Sequence, residues 1–128
     1  MNIWLPTLDQ ILLIHERLIL YTGGSAGIRD IGLVESALAR SSAAYAGVEA
    51  YPNLISKAAA ICCGLTQNHG FIDGNKRIGV TTMLMVLRKN GVSLVYTQEE
   101  LITLGLSIAQ GIFDIPEVEA WLQAHITE

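Results

Sequence analysis

Cysteine is nearly missing from this 128-residue chain: the two that occur, Cys62 and Cys63, are adjacent within a run of small apolar residues. Neighbouring cysteines are too close for an ordinary structural disulfide and lack metal-ligand spacing, which excludes a disulfide scaffold and a cysteine-held metal. A reduced interior suits them, and a cytoplasmic location is expected. Long hydrophobic runs are lacking as well. The longest uncharged, mainly apolar stretch, Ile78 to Leu87, falls well short of the roughly 18 residues of a membrane span. The first ten residues, MNIWLPTLDQ, have no basic start followed by an apolar stretch and a small-residue cleavage site, so no secretory signal is expected. Charge is sparse, at 16% of residues, and the balance is acidic, with a net charge of −4. General nucleic-acid binding is therefore disfavoured.

What the chain does have is apolar surface to bury. Hydrophobic residues make up 51% of it, enough to offset the entropy of ordering one domain, and disorder is excluded. No repeat, low-complexity stretch or long linker divides the sequence, so residues 1–128 are expected to form a single domain. The eight basic residues are unevenly spread: Lys76, Arg77, Arg88 and Lys89 lie between positions 75 and 90, where there is no acid. Such a run is ordinarily a solvated helix end. The sharper alternative is a phosphate-binding patch.

Periodicity and caps predict an all-α fold of about six helices. Thr7 and Gln10 have capping-box spacing ahead of Leu8, Ile11, Leu12, His15, Leu18 and Ile19, which places a first helix at about 8–21. His15 falls on its apolar stripe and reads as a core histidine with one satisfied nitrogen. After the flexible Gly23, Gly24 and Gly27, Asp30 caps a second helix carrying Leu33, Val34, Ala37 and Leu38 on one face. A third begins near Asn53 and runs through Ala58, Ile61, Cys62 and Leu65, with side chains small enough for close helix contact. From Asn75 to Lys89 the chain is apolar on nearly all sides, which makes this helix central; Asn90 and Gly91 stop it. Val92 to Tyr96 has β-branched character but no evident partner strand, and is expected as extended loop. Thr97 and Glu100 open a fifth helix that ends at Gly111. Pro116 fits the first turn of a sixth, on which His125 is structural or exposed.

Between the third and fourth helices lies His69-Gly70-Phe71-Ile72-Asp73-Gly74-Asn75-Lys76-Arg77, a polar connection between elements that should be buried together. If Asn75 begins a helix, the N–H groups near Gly74, Asn75 and Lys76 are unpaired at the positive end of the helix dipole, a ready anion site. Gly74 permits φ > 0 and close backbone approach, and Lys76 and Arg77 add full positive charge, which suits phosphate. Asp73 is a hard oxygen ligand of the kind Mg²⁺ uses with nucleotide phosphates, or else an N-cap or a salt-bridge partner of Lys76 or Arg77. His69 can take a proton from an attacking hydroxyl, or fix the loop by a hydrogen bond. Phe71 is the apolar anchor of the loop, and Asn75 caps the helix or holds a phosphate oxygen.

HGFIDGNKR resembles the Fic/Doc motif, in the form HxFx(D/N)(A/G)NKR found in death-on-curing (Doc) toxins, the toxin halves of bacterial toxin–antitoxin pairs. The segment Gly27 to Ala37 is similar to their glycine-rich stretch, and Leu87 to Gly91 to the end of their central helix. The resemblance implies an all-α Fic fold. Most Fic relatives transfer AMP to a target hydroxyl through HPFxxGNGRxxR, from which this chain departs at Gly70, Lys76 and Val80. Doc proteins share those departures, and their likeness implies a protein kinase that transfers the γ-phosphate of ATP, with Mg²⁺, to a Ser or Thr hydroxyl. By the same resemblance His69 is the base, Asp73 the Mg²⁺ ligand, and Gly74, Asn75, Lys76 and Arg77 hold phosphate and stabilise charge. It further implies elongation factor Tu as target, arrest of translation, and a Phd-type antitoxin whose C-terminal segment folds into a groove near the site. The inhibitory pattern (S/T)xxxE(G/N) of many Fic proteins is missing from the sequence, so inhibition is expected from another chain. Gly23 to Asp30 could shape the groove or a flap, or form an ordinary turn. The competing readings are protein AMPylation and a non-enzymatic partner-binding or co-repressor module.

Overall fold

Helix starts organise this molecule. A computed structural model of the chain describes residues 2–127, and six helices occur among the described residues: α1 (Leu8–Thr22), α2 (Ile31–Arg40), α3 (Leu54–Asn68), α4 (Asn75–Lys89), α5 (Gln98–Ala109) and α6 (Ile115–His125). Five of them begin on a side chain that accepts from their own first-turn N–H groups: Thr7, Asp30, Asn53, Thr97 and Asp114. The exception is α4, whose N-cap is Gly74 with no side-chain cap at all. Its first turn is left open.

The centre of the core is α3, which packs on α2, α4, α5 and α6. Residues 58–63, Ala-Ala-Ala-Ile-Cys-Cys, are fully or almost fully buried, and glycines bring the neighbouring helices close. A Cβ on Gly64 would lie 3.0 Å from Ala37 of α2, and one on Gly79 of α4 would collide with Thr66 and come within 2.8 Å of the Cys62 carbonyl. Both cysteines are free and buried; desolvation raises both thiols, that of Cys63 to about 12, so neither is a nucleophile at neutral pH.

Four two-residue strands among the described residues qualify the helical picture. Ala44–Tyr45 (β1) pairs antiparallel with Val48–Glu49 (β2) across a turn in which Ala46 and Gly47 both have positive φ. Lys57 of α3, 6% exposed, ties this hairpin down through Glu49 Oε1 at 2.9 Å and the Ser41 carbonyl at 3.0 Å. Ser93–Leu94 (β3) pairs with Ile126–Thr127 (β4). Val92 to Tyr96 is therefore not merely extended loop. Its partner is only two residues long and lies at the far end of the sequence, too brief for a periodic pattern.

The run of four basic residues divides in space. Lys76 and Arg77 stand in the first turn of α4, whereas Arg88 and Lys89 stand in its last, where the helix dipole favours cations. Lys89 Nζ lies 5.3 Å from the centre of the Trp4 ring. No helix among the described residues is long and apolar enough to cross a membrane.

Candidate active site

The open start of α4 faces a cleft of about 430 Å³ lined by His69, Ile72 and residues 73–77, with Thr66 of α3 and Ala109 of α5. Helical bonding begins with Ile78 N–H to the Gly74 carbonyl at 2.9 Å. The N–H groups of Asn75, Lys76 and Arg77 thus have no acceptor within the helix. Gly74 makes this geometry possible with φ +76°, in the left-handed region.

His69 is the C-cap of α3 in the left-handed conformation, φ 53° and ψ 46°, which turns the chain sharply out of the core. Its ring is exposed at the cleft, and no described residue hydrogen-bonds it. The carbonyl of His69, by contrast, accepts from Arg29 Nε at 2.6 Å, while Arg29 Nη2 reaches the Asn68 carbonyl at 3.3 Å. A cation thereby closes the negative end of α3 and steadies the turn that presents the imidazole.

Phe71 is 2% exposed and stacks on His15 of α1, with ring centroids 3.7 Å apart and planes at 11°. Asn75 spends its amide on the same residue: Oδ1 accepts from Phe71 N–H and Nδ2 donates to the Phe71 carbonyl, both at 3.0 Å. Of the two roles considered for its side chain, capping is not what it does here. It clamps the loop, and its backbone N–H is what faces the open turn.

Asp73 is half-buried and receives Ser25 N–H on Oδ2 at 3.0 Å and Gly74 N–H on Oδ1 at 2.8 Å. Those two bonds, Ser25 first, hold its carboxyl below the usual range, with Arg77 adding to the effect. Arg77 Nη2 stands 3.7 Å from Asp73 Oδ1, and its Nη1 donates to Thr22 Oγ1 and, at 2.7 Å, to the Gly23 carbonyl. Lys76 is exposed, its stem lying along Gly105 of α5, where a Cβ would approach it to 3.1 Å.

Residues 24–30 run beside the loop. Arg29 and Asp30 N–H groups donate to the Gly70 carbonyl at 2.8 and 2.9 Å, and Ile72 N–H to the Gly27 carbonyl at 3.2 Å, around a bridge between Ile28 and Phe71. Contact is close enough to fix glycine at three places. A Cβ on Gly70 would lie 2.5 Å from Val34 Cγ2, one on Gly24 2.5 Å from Asp73 Oδ2, and one on Gly27 2.8 Å from Ile72 Cδ1. The glycine-rich stretch is laid against the motif.

A family model described as Fic/DOC family matches residues 5–87, which contain the whole motif and the cleft lining except Ala109, and make up well over half the chain. The chain belongs to the Fic/DOC family. Among its relatives is a protein named Protein kinase doc from Escherichia phage P1, 30% identical over 110 residues that span 86% of each chain. Another is Toxin Doc from Mycolicibacterium smegmatis, 46% identical over 72 residues, 56% of this chain and 55% of that one. The match to the mycobacterial toxin thus covers little more than half its length.

All seven motif residues singled out in the sequence come together, six on the cleft and Phe71 beneath it. Two supporting residues did not emerge from the Fic/DOC motif. Arg29 had no signal beyond lying in the glycine-rich segment. His15 had one, a histidine on an apolar stripe, and the core role with one satisfied nitrogen expected of it is what it has; that its partner is the motif loop had no signal.

Proposed function

We propose that this Fic/DOC protein is the toxin of a toxin–antitoxin pair, a cytoplasmic protein kinase that moves the γ-phosphate of ATP to a Ser or Thr hydroxyl of a translation factor, with elongation factor Tu the first candidate. The observation that carries the reading is the uncapped first turn of α4, with a carboxylate, two cations and an exposed imidazole gathered around it. Names of relatives, a toxin and a protein kinase, support it.

The residues present fit Mg·ATP. The cleft is of nucleotide size, and the free N–H groups with Lys76 and Arg77 suit phosphate oxygens. No group of three His, Cys, Asp or Glu among the described residues could hold a metal. A single carboxylate, Asp73, matches Mg²⁺ that arrives with the nucleotide and keeps water and phosphate as its other ligands. Mg·ATP, when bound, supplies the phosphoryl group and a divalent charge beside it. His69 takes the proton of the target hydroxyl as its oxygen bonds to phosphorus and the bond to the β-phosphate oxygen breaks. Lys76 and Arg77 compensate the charge, Arg77 by leaving Thr22 and Gly23. Val80, buried where AMP-transferring relatives carry a second arginine, leaves one phosphate ligand fewer, which favours phosphate over AMP transfer. A Phd-type antitoxin is the expected inhibitor. Beside the cleft an apolar groove of about 180 Å³, lined by Val80, Leu101 and Ile102, suits a helical segment.

Intact mass spectrometry of elongation factor Tu after incubation with the protein, Mg²⁺ and ATP tests this, with His69→Ala as control. A gain of about 80 Da is expected, and about 329 Da would mean AMP transfer instead. No modified protein in a whole lysate would overturn the enzyme reading in favour of a binding module.

A further inference from the structure

His15 is 3% exposed in α1, and burying an imidazole is costly unless its nitrogens find partners. The partner here is the main chain of the motif loop: Nε2 lies 2.7 Å from the Asp73 carbonyl oxygen. A carbonyl only accepts, so Nε2 carries the proton. This is the sole hydrogen bond to that carbonyl among the described residues, since the other ties of the loop reach Phe71, Gly70, His69 and Ile72.

The peptide group between Asp73 and Gly74 is held at both ends. Its C=O accepts from His15, and its N–H donates to Asp73 Oδ1 at 2.8 Å. Turning that plane would break both bonds together and free Oδ1, leaving the carboxylate held only through Ser25 N–H on Oδ2 and by the nearby Arg77. Gly74 is packed close to α1 here: a Cβ on it would lie 3.1 Å from Ile19 Cδ1 and 3.4 Å from Nε2. The same ring covers Phe71, so one side chain fixes the loop's anchor and, two residues on, its acidic group.

We infer that His15 is a positioning residue which aims the Asp73 carboxylate into the cleft by holding the Asp73–Gly74 peptide plane. The inference rests on the proposed Mg·nucleotide site for what Asp73 is aimed at, but not for the plane being held. His15→Phe keeps ring and volume without the donor; His15→Gln returns a donor at similar reach without the stack. Gly74 amide hydrogen exchange, read by NMR, should quicken in His15→Phe and return towards wild type in His15→Gln. Calorimetry with ADP should show the Mg²⁺-dependent part of binding weakened about 10-fold or more in His15→Phe, as for lost outer-shell partners of metal ligands, with Mg²⁺-free binding unchanged. A purely structural role would instead lower Tm in both variants and leave the Mg²⁺ dependence alone. Unchanged Gly74 exchange in His15→Phe overturns the inference, as does failure of His15→Gln to recover, a criterion that stands even if His15→Phe does not fold. Should wild type bind no Mg·ADP while the exchange effect holds, the nucleotide reading fails and the positioning role survives.

Discussion

The first turns of α4 and α5 carry opposite solutions to one problem. At α5, Thr97 Oγ1 accepts from Glu100 N–H at 3.1 Å and Glu100 Oε1 accepts from Thr97 N–H at 2.8 Å, so the helix closes on itself. The other carboxylate oxygen of Glu100 takes His125 Nε2 of α6 at 2.8 Å. At α4 none of this happens: a glycine stands at the cap, Asn75 turns its amide back to Phe71, and Lys76 and Arg77 occupy the positions where helices favour acids. A helix that serves only the fold satisfies its own donors. One that must hold an anion keeps them available and obtains its stability elsewhere, here from packing on α3.

That contrast can be broken from either side. The largest effect expected is on the open side. His69→Ala should cut phosphoryl transfer by about 10²–10⁴-fold with an unaltered melting temperature, because the ring is exposed and unbonded; loss of folding would show that the imidazole is structural. Reversing a charge in the open turn comes next. Lys76→Glu replaces an exposed cation of that turn by a carboxylate and should weaken ADP binding by about tenfold, roughly 1.4 kcal/mol. Equal affinity in calorimetry would mean that the anion binds elsewhere. Opening the closed turn is the converse test: Thr97→Ala should cost about 1 kcal/mol in denaturant unfolding and leave transfer rates untouched.

The smallest effect concerns pH. Glu100 is lowered to about 2, chiefly by the His125 bond, and His125 is raised above 6.5, chiefly by Glu100. Because the folded His125 value is raised, its contribution is complete below 6.5 and fades as pH climbs through the raised value. Because that of Glu100 is depressed, its share is present above 4.5 and is lost as pH falls towards about 2. The Glu100 side chain is 45% exposed, although that of His125 is only 15% exposed, so water still screens the pair and the change in Tm should be slight. Tm measured from about pH 5 to about pH 9 should decline a little in wild type and stay flatter in His125→Gln; identical slopes would remove the pair as the cause.

Local signals were legible where the physics is local. Thr7 with Gln10, Asp30, and Thr97 with Glu100 mark helix starts because a cap needs only neighbours in sequence, and the observed helices begin where those residues stand. The motif was legible because its residues are contiguous. What escaped depends on distant partners. His15 meets Asp73 across 58 positions and Arg29 meets His69 across 40, and nothing in either residue's surroundings announces the other. The role of Asn75 escaped for another reason: an amide can cap, bind or clamp, and only the turn at Gly74 decides which. The β1–β2 turn did leave a mark, Ala46-Gly47 between Tyr45 and Val48, but two-residue strands are too short for alternation to register.

Both outer stretches of the chain are tethered at the same place. Trp4 exchanges two hydrogen bonds with Asn90, at 2.8 and 2.9 Å, just beyond the last turn of α4, and Ile126–Thr127 pairs with Ser93–Leu94 a few residues further on. Fifteen helical residues separate that end from Gly74, about 20 Å at the rise of an α-helix. A dye or surface-capture group joined to a cysteine placed near Trp4 or Thr127 therefore sits at the end of α4 away from the cleft, so the molecule can be immobilised there with the motif loop facing outward.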